Sequence, residues 1–276
     1  MINRKIYIYW EQGFDSAPDI VKKCRESWIV QNPEWQVISL DRRDIPDGFI
    51  EGLEPEIFCS LPVQKRSNLV RLKLLLEDGG VWADATSFCA KPLDCWLPGA
   101  TNSGIFMFHR PGRDREISNW FIAAESGNYV LKNLYQSQVN FWQKTRFNHD
   151  SPEFKNRRNM IARFLNRNRI TPMLWFSPVM TRFLKVYPYF VFHYLFYRML
   201  LTDAKARRAW ARVPKIKADC CILPQRLGLL KQIEPTGISQ LQQCKSPVYK
   251  LNHHVPNNAE IANTYLEWVL SNTGTV

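Results

Sequence analysis

The stretch EDGGVWADATSFCAKPLD, residues 77–94, decides the fold. Two glycines open a short apolar run whose pattern predicts a buried strand. One carboxylate, Asp84, stands inside this run. A buried carboxylate costs several kcal/mol unless cations or hydrogen-bond donors meet it. We therefore expect Asp84 late in the strand, facing a site.

A long helix is predicted immediately before this strand. Pro62 opens it and the glycine pair ends it, which gives a helix over 62–78. Asn68 and Arg71 are three residues apart and therefore neighbours on the helix surface. In open parallel α/β sheets, ligands bind beyond the carboxyl ends of the strands, and this is where Asp84 is expected.

The beginning of the chain predicts a parallel sheet. RKIYIYW, residues 4–10, alternates as a half-buried strand, and WQVISL, residues 35–40, follows as a second strand. A helix lies between them and ends before Asn32-Pro33, which completes a βαβ unit. The chain carries neither GxGxxG nor GxxxxGK, so neither a dinucleotide site nor a P-loop is indicated.

The later elements are predicted from the same patterns. They are a strand over 101–109, a turn and helix over 110–125, a helix over 129–144, short strands over 220–235 and 247–251, and a terminal helix over 259–270.

The positive charge is concentrated in one segment. The formal net charge is +12, and residues 144–231 hold 19 of the 37 Lys and Arg but only 4 of the 25 Asp and Glu. A membrane surface, nucleic acid or a phosphorylated substrate would suit this segment. Its longest uncharged run, Val186–Tyr197, has 12 residues, whereas a membrane span needs about 20. The segment is therefore either a surface that lies on an anionic bilayer or a helical subdomain whose apolar side is core.

The seven cysteines show no CxxC spacing. The N-terminal MINRKIYIYW does not have the pattern of an export signal. We therefore expect reduced thiols in a cytoplasmic protein, with neither a disulfide framework nor a zinc site.

The order of several motifs resembles the DXD-type sugar transferases of the bacterial capsular polysaccharide synthesis family, related to glycosyltransferase family 32. The motifs are SNLVR (67–71), GGVWADAT (79–86), KPLD (91–94), the stretches 108–124 and 189–196, and SPVYKL (246–251).

This resemblance implies an α/β fold of GT-A type, with a Rossmann-like mixed sheet flanked by helices and a basic helical insertion. The implied divisions are a nucleotide-sugar-binding core over 1–145, a basic aromatic helical segment over 146–215, C-terminal strands and a helix that complete the core over 216–270, and a frayed tail over 271–276.

The resemblance also implies an activity. A hexosyltransferase-like enzyme would move a sugar from a nucleotide-sugar, expected to be a UDP-sugar, to a growing bacterial surface polysaccharide or lipid-linked oligosaccharide, with retention. Mn²⁺ or Mg²⁺ would neutralise the charge of the departing diphosphate. The enzyme would be cytoplasmic and peripheral at the inner face of the plasma membrane, with no nucleic-acid partner.

The residues of the implied site fall into four groups. They are Asp84 and Arg71 for catalysis; Trp10, Gln12, Asn68, Arg71, Asp84 and Thr86 for the donor; Asp84 and His253 for the metal, with Asn252 and His254 as further candidates; and Asp114, Asn119, Trp120 and His193 for the acceptor.

Two departures from the family pattern keep other functions open. Thr86 stands where the family at large often has a second Asp, and Asn68 stands where an Asp is usual. An inactive scaffold of a glycan-assembly complex is therefore an alternative, and Asp84 would then be a structural partner of Arg71. A nucleic-acid-binding protein that uses residues 144–231 is a further alternative, but it leaves GGVWADAT unexplained.

Overall fold

A computed structural model describes residues 1–145, 147 and 151–271. The strands in these ranges are β1 Lys5–Tyr9, β2 Gln36–Leu40, β3 Gly80–Ala83, β4 Ser87–Cys89, β5 Ile105–Gly112, β6 Arg115–Ala124 and β7 Val248–Lys250. The α-helices are α1 Asp19–Gln31, α2 Pro55–Ser60, α3 Val63–Glu77, α4 Leu97–Ala100, α5 Tyr129–Lys144, α6 Pro152–Leu165, α7 Val191–Thr202, α8 Ala204–Ala211, α9 Leu223–Leu227, α10 Pro235–Cys244 and α11 Tyr265–Ser271. Short 3₁₀ turns lie at Arg42–Asp44, Leu93–Cys95 and Thr171–Phe176, and a π turn lies at Val179–Phe183. The tail predicted to fray lies outside the described residues from 272 onward.

The α/β prediction is confirmed by a five-stranded mixed sheet flanked by helices. Its strand order is β2-β1-β3-β6-β5. Strand β1 runs parallel to both β2 and β3, and β6 runs antiparallel to β3 and β5. Strands β4 and β7 form a separate antiparallel pair. The predicted βαβ unit therefore builds one edge of the sheet.

The glycine pair is required by the turn from α3 into β3. Gly79 and Gly80 have φ values of +70° and +102°, which side chains rarely adopt. A Cβ atom on Gly80 would lie 2.7 Å from the Lys5 carbonyl oxygen of β1. The pair therefore ends the helix and brings β3 directly against β1.

The helix predicted within 110–125 is wrong, because this stretch is strand β6 of a β5–β6 hairpin. Strand β6 lies between β3 and β5, and eight of its ten residues are buried. A strand buried on both faces loses the alternation of apolar and polar residues by which a strand is recognised. Strand β6 has four polar residues in its first half and the continuous apolar run WFIAA in its second half, so it shows no strand alternation.

The strands predicted over 220–235 are also wrong, whereas the strand predicted over 247–251 is confirmed as β7. Residues 220–235 contain the short helix α9, and Gln232 makes only an isolated bridge to Thr264. The terminal helix, α11, begins at Tyr265 and not at 259.

The expectation that all cysteines are reduced is wrong for two of them. Cys220 and Cys244 form a disulfide between the start of the α9 region and the end of α10. The other five cysteines are free. The two partners are 24 residues apart, and only the folded chain brings them together.

The basic segment packs onto the sheet through its aromatic side. Helix α7 packs on β6, and the buried Glu116 of β6 accepts a hydrogen bond from Trp210 Nε1 at 3.1 Å. Glu116 also pairs with Arg169 at 2.5 Å.

Within the described residues, no helix is both long enough and apolar enough to cross a membrane. The predicted domain boundaries stay a prediction.

Candidate active site

Asp84 lies at the carboxyl end of β3, in a tight turn between β3 and β4. Its amide donates to the Trp120 carbonyl of β6 at 2.8 Å, and its carbonyl accepts from the Ser87 amide at 2.7 Å. The side chain is 27% exposed. The turn therefore presents the carboxylate at the strand end, where α/β sheets bind ligands.

Three side chains with N–H groups lie around the Asp84 carboxylate. Trp82 Nε1 donates to Oδ1 at 2.9 Å, and Arg71 Nη1 lies 3.2 Å from the same oxygen. Lys250 Nζ lies 4.0 Å from Oδ2. Two cations thus lie beside one carboxylate, and they explain why the charge of Asp84 is tolerated in this apolar stretch.

Each side-chain nitrogen of Arg71 is directed at an oxygen atom of the protein. It reaches out of α3 and its side chain is only 4% exposed. Nε and Nη2 donate to the carbonyl and hydroxyl of Ser67 at 3.1 and 2.8 Å, and Nη1 donates to the Asn119 carbonyl. Its guanidinium lies 4.8 Å from the centre of the Trp82 ring. Burial lowers the pKa of Arg71, which Asp84 opposes, and a guanidinium stays protonated.

Asn68 and Asn119 meet one turn of α3 away from Arg71. Asn119 Nδ2 donates to Asn68 Oδ1 at 2.9 Å, which links α3 to β6. Asn68 is buried. The structure thus brings one predicted donor residue and one predicted acceptor residue into contact, and their roles stay a prediction.

Lys250 is a residue of this site that the sequence analysis missed. It pairs with Ser87 in the β4–β7 register and donates to Thr86 Oγ1. Burial lowers the pKa of Lys250, which Asp84 opposes. A single cation within the apolar run of SPVYKL is the same kind of signal as Asp84 within GGVWADAT, and it could have identified Lys250.

The loop after β7 brings His253 against Trp10. The two ring centres are 5.8 Å apart in an edge arrangement, and His253 and His254 are 4.1 Å apart. Burial lowers the pKa of His253, and the neighbouring charges of His254 and Lys250 lower it further. Gln12 is exposed, with its carbonyl accepting from the Ser16 hydroxyl at 3.1 Å.

The side chains around Asp84 fit a divalent cation poorly. Hard cations prefer several oxygen ligands, but Asp84 is the only carboxylate of the described centre and faces Arg71 and Lys250. Among the described residues, no group of three or more His, Cys, Asp and Glu side chains is placed to hold a metal. The use of Mn²⁺ or Mg²⁺ stays a prediction.

Two predicted acceptor residues are buried in the β5–β6 region. Asp114, at the hairpin turn, accepts a hydrogen bond from the Tyr194 hydroxyl. Trp120 stacks on Phe108, with ring centres 5.0 Å apart. Both side chains have structural partners, and their contact with an acceptor stays a prediction.

His193 of α7 is buried between Phe190 and Phe192. Its Nδ1 has no hydrogen-bond partner within the described part of the chain. Burial holds the pKa of His193 well below its usual range, and Arg115, Lys65 and Arg71 lower it further. The imidazole is therefore neutral at pH 7, and its acceptor role stays a prediction.

This arrangement suits a ligand that combines negative charge with hydroxyl groups. The two cations can attract an anion, Asp84 can accept hydrogen bonds from hydroxyls, and Trp10 offers an aromatic face beside the strand ends. These are the groups that a nucleotide-sugar presents.

Two curated relatives match about half of this chain. The chain is 28% identical over 160 residues to the O-glycosyltransferase braB of Annulohypoxylon truncatum, and the match covers 51% of this chain and 38% of the relative. It is 25% identical over 158 residues to the glycosyltransferase afumC of Aspergillus fumigatus, which is 50% of this chain and 40% of the relative. The matches thus span about two fifths of the length of these relatives.

A solved structure titled PaToxG glycosyltransferase aligns over 88% of this chain and 85% of its own, with 14% identity and a TM-score of 0.42. This similarity is too distant to support an argument.

A family model described as capsular polysaccharide synthesis protein matches residues 1–150. The match covers more than half of the chain and contains both Arg71 and Asp84. It agrees with the resemblance seen in SNLVR and GGVWADAT. The chain therefore belongs to the capsular polysaccharide synthesis protein family.

Proposed function

We propose that this chain is a glycosyltransferase that moves a sugar from a nucleotide-sugar to a glycan acceptor. The observation that carries the proposal is Asp84, held at the carboxyl end of β3 between Arg71 and Lys250. The family match supports it, and so do the names of the two curated relatives.

The centre can contribute to sugar transfer in two ways. When the bond from the sugar to the diphosphate breaks, negative charge grows on the departing phosphate, and a fixed cation stabilises this charge more in the transition state than before it. Asp84 can orient the donor by accepting hydrogen bonds from ribose or sugar hydroxyls.

The finer features of the reaction belong to the same proposal. The donor is a UDP-sugar, with Trp10 and Gln12 flanking the base and Asn68 and Thr86 on the sugar side. The sugar is transferred with retention on a GT-A type sheet. The acceptor is a bacterial surface polysaccharide or a lipid-linked oligosaccharide.

Contact with an anionic membrane is supported by the exposed surface of the basic segment. Of 13 exposed large hydrophobic residues in the described ranges, 8 lie between 160 and 201. Met160 and Phe164, which are 58% and 61% exposed, share a face of α6 with the exposed Arg157 and Arg163, and the exposed Arg167 lies in the turn that follows the helix. We name Arg157, Met160, Arg163, Phe164 and Arg167 the outer basic face. Interleaved cations and apolar side chains suit the interface of a bilayer that contains anionic lipids.

Thermal unfolding with a panel of nucleotide-sugars tests the donor part of the proposal. A ligand that binds only the folded state raises the melting temperature by mass action. We expect a UDP-sugar to raise it by several degrees in Mn²⁺, in Mg²⁺ or in EDTA, and the three conditions show whether binding needs a metal. If no nucleotide-sugar shifts the melting temperature under any of them, the proposal fails.

A further inference from the structure

We propose that Lys250 binds the diphosphate of the donor and is the cation that faces the departing phosphate. This inference rests on the proposed function, since it names a contact within the same site. It assigns a role to the C-terminal strand β7, which lies beyond the residues matched by the family model.

The first reason is that the ammonium of Lys250 has hydrogen-bonding capacity left. A lysine carries three N–H donors. Within the described residues, two are used, by Thr86 Oγ1 and by the Leu251 carbonyl at 3.1 Å. The 4.0 Å separation from Asp84 Oδ2 is too long for a hydrogen bond. One donor is therefore available to a ligand beside Asp84.

The second reason is the contrast with Arg71. Arg71 has its Nε, Nη1 and Nη2 groups directed at Ser67, Asn119 and Asp84, and its side chain is 4% exposed. The Lys250 side chain is 19% exposed. Of the two cations at this centre, Lys250 is the one that an incoming phosphate can reach.

The third reason is the balance of charge. Asp84 contributes one negative charge to the described centre, and Arg71 and Lys250 contribute two positive charges. A partly buried centre with excess positive charge favours an anion. The diphosphate is the anionic part of a nucleotide-sugar, whereas its sugar and ribose offer the hydroxyls that suit Asp84.

The Lys250 side chain is also held in place for such a contact. The Ser87–Lys250 register is fixed by the β4–β7 pairing, and the Leu251 amide donates to the Thr86 carbonyl at 2.7 Å. The hydroxyl of Thr86 anchors the ammonium directly. The role of Thr86 at the position of the second family Asp is then to position Lys250.

The test is calorimetric binding of UDP, GDP, UMP and GMP to the full chain, in EDTA and in Mn²⁺. Lys250→Met removes the charge and keeps the length of the side chain, and Lys250→Arg keeps the charge. Lys231→Met, at an exposed lysine, is the matched control. Partial unfolding of a variant would weaken its binding of diphosphate and monophosphate by the same factor, so the difference between the two nucleotides reports on Lys250 itself.

We expect the preferred nucleoside diphosphate to bind Lys250→Met at least about tenfold more weakly than wild type, the size of a lost charge-assisted hydrogen bond. The affinity for the corresponding monophosphate should fall less. The diphosphate should bind Lys250→Arg and Lys231→Met with dissociation constants within about threefold of wild type. If Lys250→Met binds the diphosphate as tightly as wild type, or loses diphosphate and monophosphate equally, the inference is overturned. If wild type binds no nucleotide, the proposed function fails together with it.

Discussion

The molecule carries two sets of cations that differ in their surroundings. Lys65, Arg71 and Lys250 extend from α3 and β7 into the protein. Arg71 and Lys250 lie beside Asp84, and Lys65 donates to the Tyr189 carbonyl. The arginines of the outer basic face are exposed to solvent. A buried cation loses its hydration, so its position must be fixed by partners, whereas an exposed cation is screened by salt within about 10 Å. The buried cations are therefore held in fixed positions by their partners, whereas the cations of the outer basic face exert only a diffuse electrostatic attraction.

Removing Arg71 should have the largest effect. Arg71→Met leaves Asp84 and the Asn119 carbonyl without their shared partner, so we expect the free energy of unfolding to fall by about 3 to 5 kcal/mol. Arg71→Lys keeps the charge but not the several directed donors, so its free energy of unfolding should lie between those of wild type and Arg71→Met. Urea denaturation measures both variants. A loss below about 1 kcal/mol for Arg71→Met would show that the inner cation is dispensable to the fold.

Reversing the charge of the outer basic face should weaken membrane binding without affecting the fold. Each basic residue near an anionic bilayer contributes about 1 kcal/mol, so Arg157→Glu, Arg163→Glu and Arg167→Glu together should reduce the vesicle partition coefficient by about 100-fold or more. Arg158 is left in place because it lies over the Phe154 and Tyr189 rings.

The control for this variant is the triple reversal of Lys22, Lys23 and Lys132, which are exposed lysines on α1 and α5. It makes the same change in net charge elsewhere on the surface. Co-sedimentation with vesicles of 30% phosphatidylserine, a composition of about the charge of a cytoplasmic leaflet, measures both. Equal losses in the two triple variants would reduce the outer basic face to general electrostatic attraction, and no loss in either would exclude membrane contact through charge.

The buried Lys65 should make the free energy of unfolding depend on pH. Burial lowers the pKa of Lys65 from 10.5 to about 7, with Arg158 adding to the effect. The unfolded chain therefore binds a proton that the folded chain has released, and the contribution of Lys65 to stability rises with pH between about 7 and 10.5. Lys65→Met removes this contribution.

We accordingly expect Lys65→Met to be more stable than wild type at pH 6 by about 2 kcal/mol, and the difference to shrink by pH 9. Lys23→Met, at an exposed lysine, should show no such convergence. Urea titrations at the two pH values measure the difference. Parallel stability profiles for wild type and Lys65→Met would mean that Lys65 stays charged in the folded protein.

The same contrast explains how much of the molecule could be predicted from its sequence. The βαβ unit, α3 and the position of Asp84 followed from local patterns, namely alternation, helical spacing and the glycine pair. Strand β6 did not, because burial on both faces removes its alternation. Lys250 and the Cys220–Cys244 disulfide depend on long-range packing. Lys250 meets Thr86 across 164 residues, and no local pattern encodes such a contact.

We propose Asp84 as the centre of a sugar-transfer site. The most direct measurement is the rate of nucleoside diphosphate release from the nucleotide-sugar that stabilises the protein, compared between wild type and Asp84→Asn. Asp47→Asn, at a largely exposed carboxylate paired with Arg42 at 3.1 Å, is the control. We predict a loss of about 100-fold or more for Asp84→Asn and no loss for Asp47→Asn. Asp84→Asn retaining the wild-type rate would contradict the account, and Asp84 would then be a structural partner of Arg71.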